Sequence, residues 1–436
     1  MEINELIINK TAKVGVIGIG YVGLPLIIRI AECGFHVTGI DFDKEKTEKI
    51  KAGKSYIEYI DDSRIKTLVQ QKKLAVQEDY NHLYEFDVII ICVPTPITNN
   101  KQPDLNYVDM AVNGIAEHLR KNQVIILEST TFPGTVEEYI LPLLESKGLH
   151  VGKDFFLGFS PERVDPGNHK YDVGNTPKIV SGMTEACLGH IFSFYRQFIK
   201  QLIKVSSPKT AEMAKILENT FRYVNIALAN QFAILCNRMG INVWEVIDAA
   251  STKPFGFMGF YPGPGVGGHC IPVDPLYLIW KANEFDYMMT LVQLSDDINS
   301  NMPHIIVQRV ADILNMKGKA ISKSKVLLLG MSYKKDIGDL RESPSLKIMD
   351  LLLKKKCEVL YNDPYIDSVE VESNKYYSRE LDKELLNGYD CVVILTDHSI
   401  YDYEWIVENC STLFDTRNIL KELKKINKND DGIFVL

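Results

Sequence analysis

Cys270 stands near the end of a glycine-rich run, Gly263 to Asp274 (GPGVGGHCIPVD), with the carboxylate of Asp274 four positions on. Gly265, Gly267 and Gly268 leave one side of the thiol without side chains, so a ligand can reach the backbone there. Two readings fit these residues. One is a nucleophilic thiol for covalent chemistry; the other is an inert packed cysteine, the commoner state of a free thiol. Upstream, Lys215 and Asn219 lie four apart in a run without breakers, which puts both on one helical face. By themselves they read equally as a solvated lysine beside a polar neighbour.

The elements that position such groups begin at the amino terminus. Val14 to Gly18 is an apolar strand-type run that enters Gly18-Ile19-Gly20-Tyr21-Val22-Gly23 and then a helical pattern from Leu24 to Cys33. This is GxGxxG in the context it needs: glycines for a tight turn and close approach of a pyrophosphate, and a helix amino terminus to receive the anion. A second strand, Phe35 to Ile40, ends in Asp41 about twenty residues past the fingerprint, where a carboxylate holds the ribose 2′-hydroxyl. The combination predicts NAD rather than NADP.

The 436 residues are 46% hydrophobic, enough for two or three cores. The formal net charge of −8 without an extended basic segment disfavours nucleic acid as a partner. No apolar run reaches the length of a membrane span, and the charged opening MEINELIINK lacks a secretory core, so no membrane association and a cytoplasmic location are expected. The eight cysteines are scattered without a CxxC pair, which predicts neither a metal site nor a disulfide framework.

An internal echo sets the architecture. Lys325 to Gly330 (KVLLLG) is again a strand entering a glycine turn, Ser343 to Lys354 reads as a helix with Pro344 at its start, and Cys357 to Asn362 is a strand followed by Asp363. Tyr389 to Thr396 parallels Phe86 to Val93, each an apolar run suited to a parallel strand covered on both faces. Between the halves, Lys209 to Arg238 carries Met213, Leu217, Phe221, Val224, Leu228 and Phe232 at helical intervals. A single helix there spans about 45 Å, long enough to join two sheets and offer a dimer surface; two shorter helices are the alternative. The predicted fold is α/β: two Rossmann-like, doubly wound parallel-sheet domains joined by a long central helix.

The chain resembles the UDP-sugar 6-dehydrogenases, most closely the bacterial UDP-N-acetylglucosamine 6-dehydrogenase branch. The resemblance rests on VIGIGYVGLPL (16 to 26), VPTP (93 to 96), ESTTFPGT (128 to 135), SPERVDPG (160 to 167) and ENTFRYVNIALANQ (218 to 231). It continues through TKPFGFMGFYPGPGVGGHCIPVDP (252 to 275), GMSYKKDIGDLRESPS (330 to 345) and FDTR (414 to 417). It implies an NAD-binding domain over 1–207, a central helical and dimerisation domain over 208–302 and a UDP-sugar-binding domain over 303–436, in a homodimer. The implied reaction is four-electron oxidation of a UDP-N-acetylhexosamine C6 alcohol to the uronic acid with two NAD, serving surface polysaccharide synthesis. UDP-N-acetylglucosamine is the expected substrate, with UDP-N-acetylmannosamine and UDP-glucose as alternatives. Rival classes are a non-catalytic binding protein and a two-electron dehydrogenase without a thiol step; intact Cys270, Lys215, Asn219 and Asp274 weigh against both.

By the same resemblance, Cys270 traps the aldehyde as a thiohemiacetal that is oxidised to a thioester. Lys215 and Asn219 stabilise oxyanions, Asp274 orders a water and balances the lysine, Thr130 lies near the reacting carbon, and Glu162 activates the hydrolytic water. NAD is implied to contact Gly18, Gly20, Tyr21, Val22, Asp41, Pro94, Thr95, Thr130 and Arg341. The UDP-sugar is implied to contact Glu162, Arg163, Lys215, Asn219, Phe260, Tyr261 and Gly267, with Tyr333, Lys334 and Arg417 from the carboxy-terminal domain. Without the resemblance, Lys334, Lys335 and Asp336 read as an exposed charged loop. Arg163, Pro166 and His269 depart from the UDP-glucose branch and favour an N-acetylhexosamine. The arginine which that branch supplies from a neighbouring subunit has no clear counterpart, although Lys253 lies close to its place.

Overall fold

The computed structural model describes residues 2–57, 59–98, 100–164, 170–423 and 432–436; Pro166 lies outside them. The chain forms two compact units, Met1–Glu218 with Leu276–Tyr287, and Asn219–Pro275 with Met288–Leu436.

The first unit is built on β1 (Lys13–Ile17), β2 (His36–Ile40), β3 (Leu74–Gln77), β4 (Val88–Ile91), β5 (Val124–Leu127) and β6 (Phe156–Phe159). All pair in parallel in the order β3-β2-β1-β4-β5-β6, the dinucleotide-binding order of doubly wound sheets. Every residue of β4, β5 and β6 is buried, which is why these strands read as unbroken apolar runs. Alternate residues serve opposite faces. Val14, Val16, Ile90 and Ile126 pack with the helices Gly23–Glu32 and Glu185–Tyr195. Ile17, Ile89, Ile91 and Ile125 pack with helix Asn106–His118. A short parallel ladder, β7 (Lys178–Val180) and β8 (Leu202–Lys204), completes this unit's strands among the described residues.

The second unit repeats the plan with β9 (Lys325–Leu329), β10 (Glu358–Asn362), the antiparallel hairpin β11 (Ser368–Val371) and β12 (Asn374–Tyr377), β13 (Cys391–Ile394), β14 (Leu413–Asp415) and β15 (Ile433–Val435). The parallel sheet runs β10-β9-β13-β14-β15. Counted within the sheet this is 2-1-3-4-5, the other common doubly wound order. One face packs on helices Thr290–Met316 and Pro344–Lys354, the other on helix Tyr403–Asn409. Ser343 caps the second of these helices by accepting from the Ser345 N–H, and Pro344 occupies its first turn, as the sequence predicts.

Pro208–Met239 is one helix of 32 residues, about 48 Å long. The periodic residues of its second half do not face a core: Phe221, Leu228, Phe232, Leu235 and Met239 are 47 to 62% exposed. Periodicity identified the stripe but not the side on which it lies.

Candidate active site

In the first unit the predicted residues gather at the carboxyl ends of β1, β4, β5 and β6, on either side of the point where strand order reverses, which is where doubly wound sheets bind ligands. The three fingerprint glycines have three different jobs. Gly18 has φ +88°, and a Cβ there would meet the Cys92 carbonyl oxygen at 2.5 Å. At Gly23 a Cβ would stand 1.9 Å from the Gly18 carbonyl oxygen, so this glycine lets helix Gly23–Glu32 close onto the turn. At Gly20 a Cβ would meet nothing within 4 Å. Among the described residues no atom demands that glycine, so the open face is available to a pyrophosphate, and the site fits a dinucleotide.

Asp41 follows β2 and turns its carboxylate back to the loop. Oδ2 accepts from the Ile19 N–H at 3.1 Å, Oδ1 from the Asp43 N–H at 3.0 Å, and the side chain keeps 16% exposure. Tyr56 donates its hydroxyl to the Ile19 carbonyl, holding the same loop from the other side. Half-buried Tyr21 and Val22 complete the turn. Asp41→Ala is expected to raise the KM for NAD by about tenfold or more, because a charged hydrogen-bond partner is lost. The KM for the sugar nucleotide should stay within about twofold. Steady-state kinetics with each substrate varied in turn checks this, and equal changes in both constants would contradict it.

After β4, Val93 to Pro96 is fixed from two directions: Ser129 Oγ donates to the Val93 carbonyl at 2.7 Å and Tyr277 Oη to the Pro96 carbonyl at 2.9 Å. Pro94 is thereby exposed and Thr95 buried. Thr130, half-buried, follows β5. Glu162 follows β6, and its Oε1 accepts from the N–H groups of Arg163 at 2.9 Å and Val164 at 2.6 Å. The Arg163 guanidinium is committed to Glu218, at 3.2 and 2.7 Å, and to the Pro177 carbonyl at 2.8 Å. Lys215 is buried on the central helix, one turn before buried Asn219.

In the second unit, Cys270 is exposed. Its carbonyl accepts from the N–H groups of Val273 at 3.2 Å and Asp274 at 2.9 Å, so the thiol sits on the turn that leads into helix Asp274–Asn283. Asn219 Nδ2 donates to Asp274 Oδ2. The Cys270 turn, the Asn219 amide and the Asp274 carboxylate, drawn from two separated segments, are thus tied together. His269 does not add a positive charge: burial lowers its pKa to about 4, the Arg341 charge acts in the same direction and Asp339 opposes. It is a neutral imidazole at neutral pH, and its buried Nε2 has no hydrogen-bond partner among the described residues.

The glycines before Cys270 are required by packing. A Cβ at Gly267 would meet Tyr333 Cβ at 2.6 Å, and one at Gly268 would meet the Tyr333 ring at 2.8 Å. The Gly268 N–H donates to the Arg341 carbonyl at 2.9 Å, and the Arg341 guanidinium grips Asp339 with both branches. At Gly263 a Cβ would stand 2.9 Å from the Arg417 guanidinium. Arg417 is half-buried and donates to the Leu395 carbonyl at 2.7 Å; burial pulls its pKa down while Asp397 and Asp415 oppose. Tyr261 stacks on Trp244 with centroids 5.4 Å apart and donates to Asp248 at 2.6 Å, while Phe260 meets Phe221 edge-on at 5.7 Å.

Of the segment Lys334 to Asp336 only Lys335 is fully exposed. Lys334 and Asp336 are half-buried, and the Asp336 N–H donates to His398 Nδ1 at 3.0 Å. His398 Nε2 faces Asp363 Oδ2 at 3.2 Å. Asp363 is the counterpart of Asp41, and the contrast explains why the echo is not a second dinucleotide site. Its Oδ2 also accepts from the Met331 and Ser332 N–H groups at 2.6 and 2.9 Å, Oδ1 accepts from Tyr365, and the side chain is fully buried. With no exposed side-chain surface, this carboxylate is closed to a ribose. Asp363 and His398 were missed as organisers of the Tyr333–Lys334 segment; the only local signal was the echo of Asp41.

Three family descriptions match in order along the chain: the UDP-glucose/GDP-mannose dehydrogenase family NAD binding domain over residues 12–199, its central domain over 209–301 and its UDP binding domain over 327–422. The chain belongs to this family. It is an NAD-dependent UDP-sugar dehydrogenase. Among similar proteins, a UDP-N-acetyl-D-mannosamine dehydrogenase of Pyrococcus horikoshii is 36% identical over 416 residues, covering 94% of this chain and 96% of the other. A UDP-N-acetyl-D-glucosamine 6-dehydrogenase of Pseudomonas aeruginosa is 34% identical over 423 residues, covering 97% and 98%. The solved structure of the UDP-D-ManNAc dehydrogenase from Pyrococcus horikoshii has a TM-score of 0.86 at 33% identity, covering 97% of this chain and 98% of that one.

Proposed function

We propose that the protein oxidises the C6 alcohol of UDP-N-acetylglucosamine to the carboxylate with two NAD and one water, through a covalent adduct on Cys270. The observation that carries this reading is the exposed thiol on a glycine turn beside the Asn219–Asp274 pair. Bound NAD supplies the acceptor for the hydride removed at each oxidation. An aldehyde has no second hydride to give until a nucleophile restores a tetrahedral carbon, and Cys270 provides that nucleophile. The adduct is a thiohemiacetal, and its oxidation leaves a thioester. Lys215 and Asn219 supply donors for the oxygen as it gains negative charge at each tetrahedral stage. Asp274 accepts from one amide N–H of Asn219 and so fixes how the other is presented. Glu162 takes a proton from water in the final hydrolysis. Gly18, Gly20, Asp41 and the Val93 to Pro96 loop hold the cofactor, with Tyr21, Val22 and Thr130 beside it. Phe260, Tyr261, Gly267, Tyr333, Lys334 and Arg417 hold the nucleotide and sugar, with Arg163 bracing the Glu162 segment through Glu218.

A second reading, UDP-N-acetylmannosamine as substrate, is favoured by similar proteins of that name. Turnover of purified protein with NAD and each of three UDP-sugars decides. An N-acetylhexosamine should exceed UDP-glucose in kcat/KM by about tenfold or more, and the faster epimer names the substrate. Preference for UDP-glucose would overturn the N-acetylhexosamine assignment. The exposed stripe of Phe221, Leu228, Phe232, Leu235 and Met239 supports a homodimer, with the stripe covered by a second copy. The uronic acid product suits surface polysaccharide assembly.

A further inference from the structure

Behind Glu162 lies a buried charge cluster that the mechanism above does not use. Lys178 opens β7 and its side chain is 6% exposed. Its ammonium stands 3.1 Å from Glu128 Oε2 and 3.6 Å from Glu162 Oε2, and it donates to the Pro161 carbonyl at 3.2 Å. Glu128 has no exposed side-chain surface, and its other oxygen accepts from the Tyr195 hydroxyl. The Tyr195 ring lies 5.2 Å beneath the same ammonium. A chain of contacts therefore runs from Tyr195 through Glu128 and Lys178 to Glu162, and only its last member, at 14%, reaches solvent appreciably.

We infer that Lys178 is a positioning residue for hydrolysis of the Cys270 thioester: anchored from behind by Glu128 and Tyr195, it fixes the Glu162 carboxylate that receives the proton of the attacking water. The inference rests on the proposed role of Glu162. In that step water adds to the thioester carbon, one proton passes to Glu162, and the C–S bond breaks to release the Cys270 thiolate. The product carboxylic acid and Glu162 then each lose their proton to solvent. Oε1 accepts from two backbone N–H groups and Oε2 faces the ammonium at 3.6 Å, so the Glu162 carboxylate is held from both sides. A buried ion pair is weak evidence for stability, since apolar residues of equal volume generally do as well. Neutralising Glu128 alone would not place the lysine at Glu162. Burial acts to discharge Lys178, but Glu128 and Glu162 together outweigh it and keep its pKa above the usual lysine value.

The test compares Glu162→Gln, Lys178→Arg and the double variant Glu128→Gln/Lys178→Met, which leaves no unpaired buried charge. Each is turned over with NAD and the UDP-N-acetylhexosamine that the wild type uses. Melting curves, both KM values, kcat and the intact mass of the Cys270 peptide are recorded. The double variant should melt cooperatively, keep both KM values within about threefold and lose about tenfold or more in kcat. It should accumulate a Cys270 adduct at the thioester mass, as Glu162→Gln does, and Lys178→Arg should regain part of the rate without the adduct. An unchanged kcat, or a lower one without thioester while Glu162→Gln does accumulate it, overturns the role of Lys178. Absence of thioester in Glu162→Gln overturns the reading of Glu162 and this inference with it.

Discussion

Cys270→Ala is expected to lower uronic acid formation by at least about a thousandfold while leaving the melting temperature within a few degrees. The two halves of this expectation have separate causes. Cys270 is exposed and is not a member of the hydrophobic clusters formed among the described residues, so its removal opens no cavity in them. Chemically, the Gly263 to Asp274 run holds no second thiol, hydroxyl or amine, and the Nε2 of its one imidazole, His269, is buried. Cys270→Ser should fare little better, because a serine hydroxyl is scarcely ionised at neutral pH and the adduct it forms is a poor precursor of hydrolysis. Cys187→Ala and Cys391→Ala provide the contrast. Both thiols are fully buried, and burial pushes the Cys391 thiol above the usual range. These variants should lose stability and keep turnover within a few fold. Uronic acid production by Cys270→Ala at near wild-type rate would make the thiol a bystander.

The second large effect is expected at Gly23, set against Gly20. A Cβ at Gly23 would overlap the Gly18 carbonyl oxygen, a backbone atom that cannot move without opening the turn. Gly23→Ala should therefore lower the melting temperature by roughly 5 °C or more and abolish saturable NAD binding. A methyl at Gly20 meets no atom of the described residues. Gly20→Ala should melt as wild type and still bind NAD about tenfold or more weaker, since the methyl takes space that the pyrophosphate needs. Calorimetry of both variants with and without NAD separates the cases. If Gly20→Ala bound NAD normally, the cofactor would not pass over this turn.

What the sequence revealed was local. Strand, glycine turn, helix and Asp41 follow one another within thirty residues, and each leaves its mark in spacing and apolar periodicity. The second sheet was legible for the same reason. Its Asp363 looked like a second Asp41, but the donors that seal it include His398, which the order of β9, β10 and β13 brings alongside. The Lys178 cluster was invisible: Glu128, Glu162 and Lys178 come from three separate segments and share no sequence pattern. Nor did periodicity show that the stripe of the central helix lies on the surface, or that Leu276–Tyr287 returns to the first unit after the Cys270 turn. Such facts depend on pairings between distant segments, which propensity and spacing do not encode.

In the proposed reaction one active site removes four electrons from one sugar. The most direct measurement is the amount of NADH formed per UDP-N-acetylhexosamine consumed, with the product identified by mass. Two NADH per sugar, with uronic acid as the product and no free aldehyde, is the predicted result. One NADH per sugar with aldehyde released into solution would contradict it.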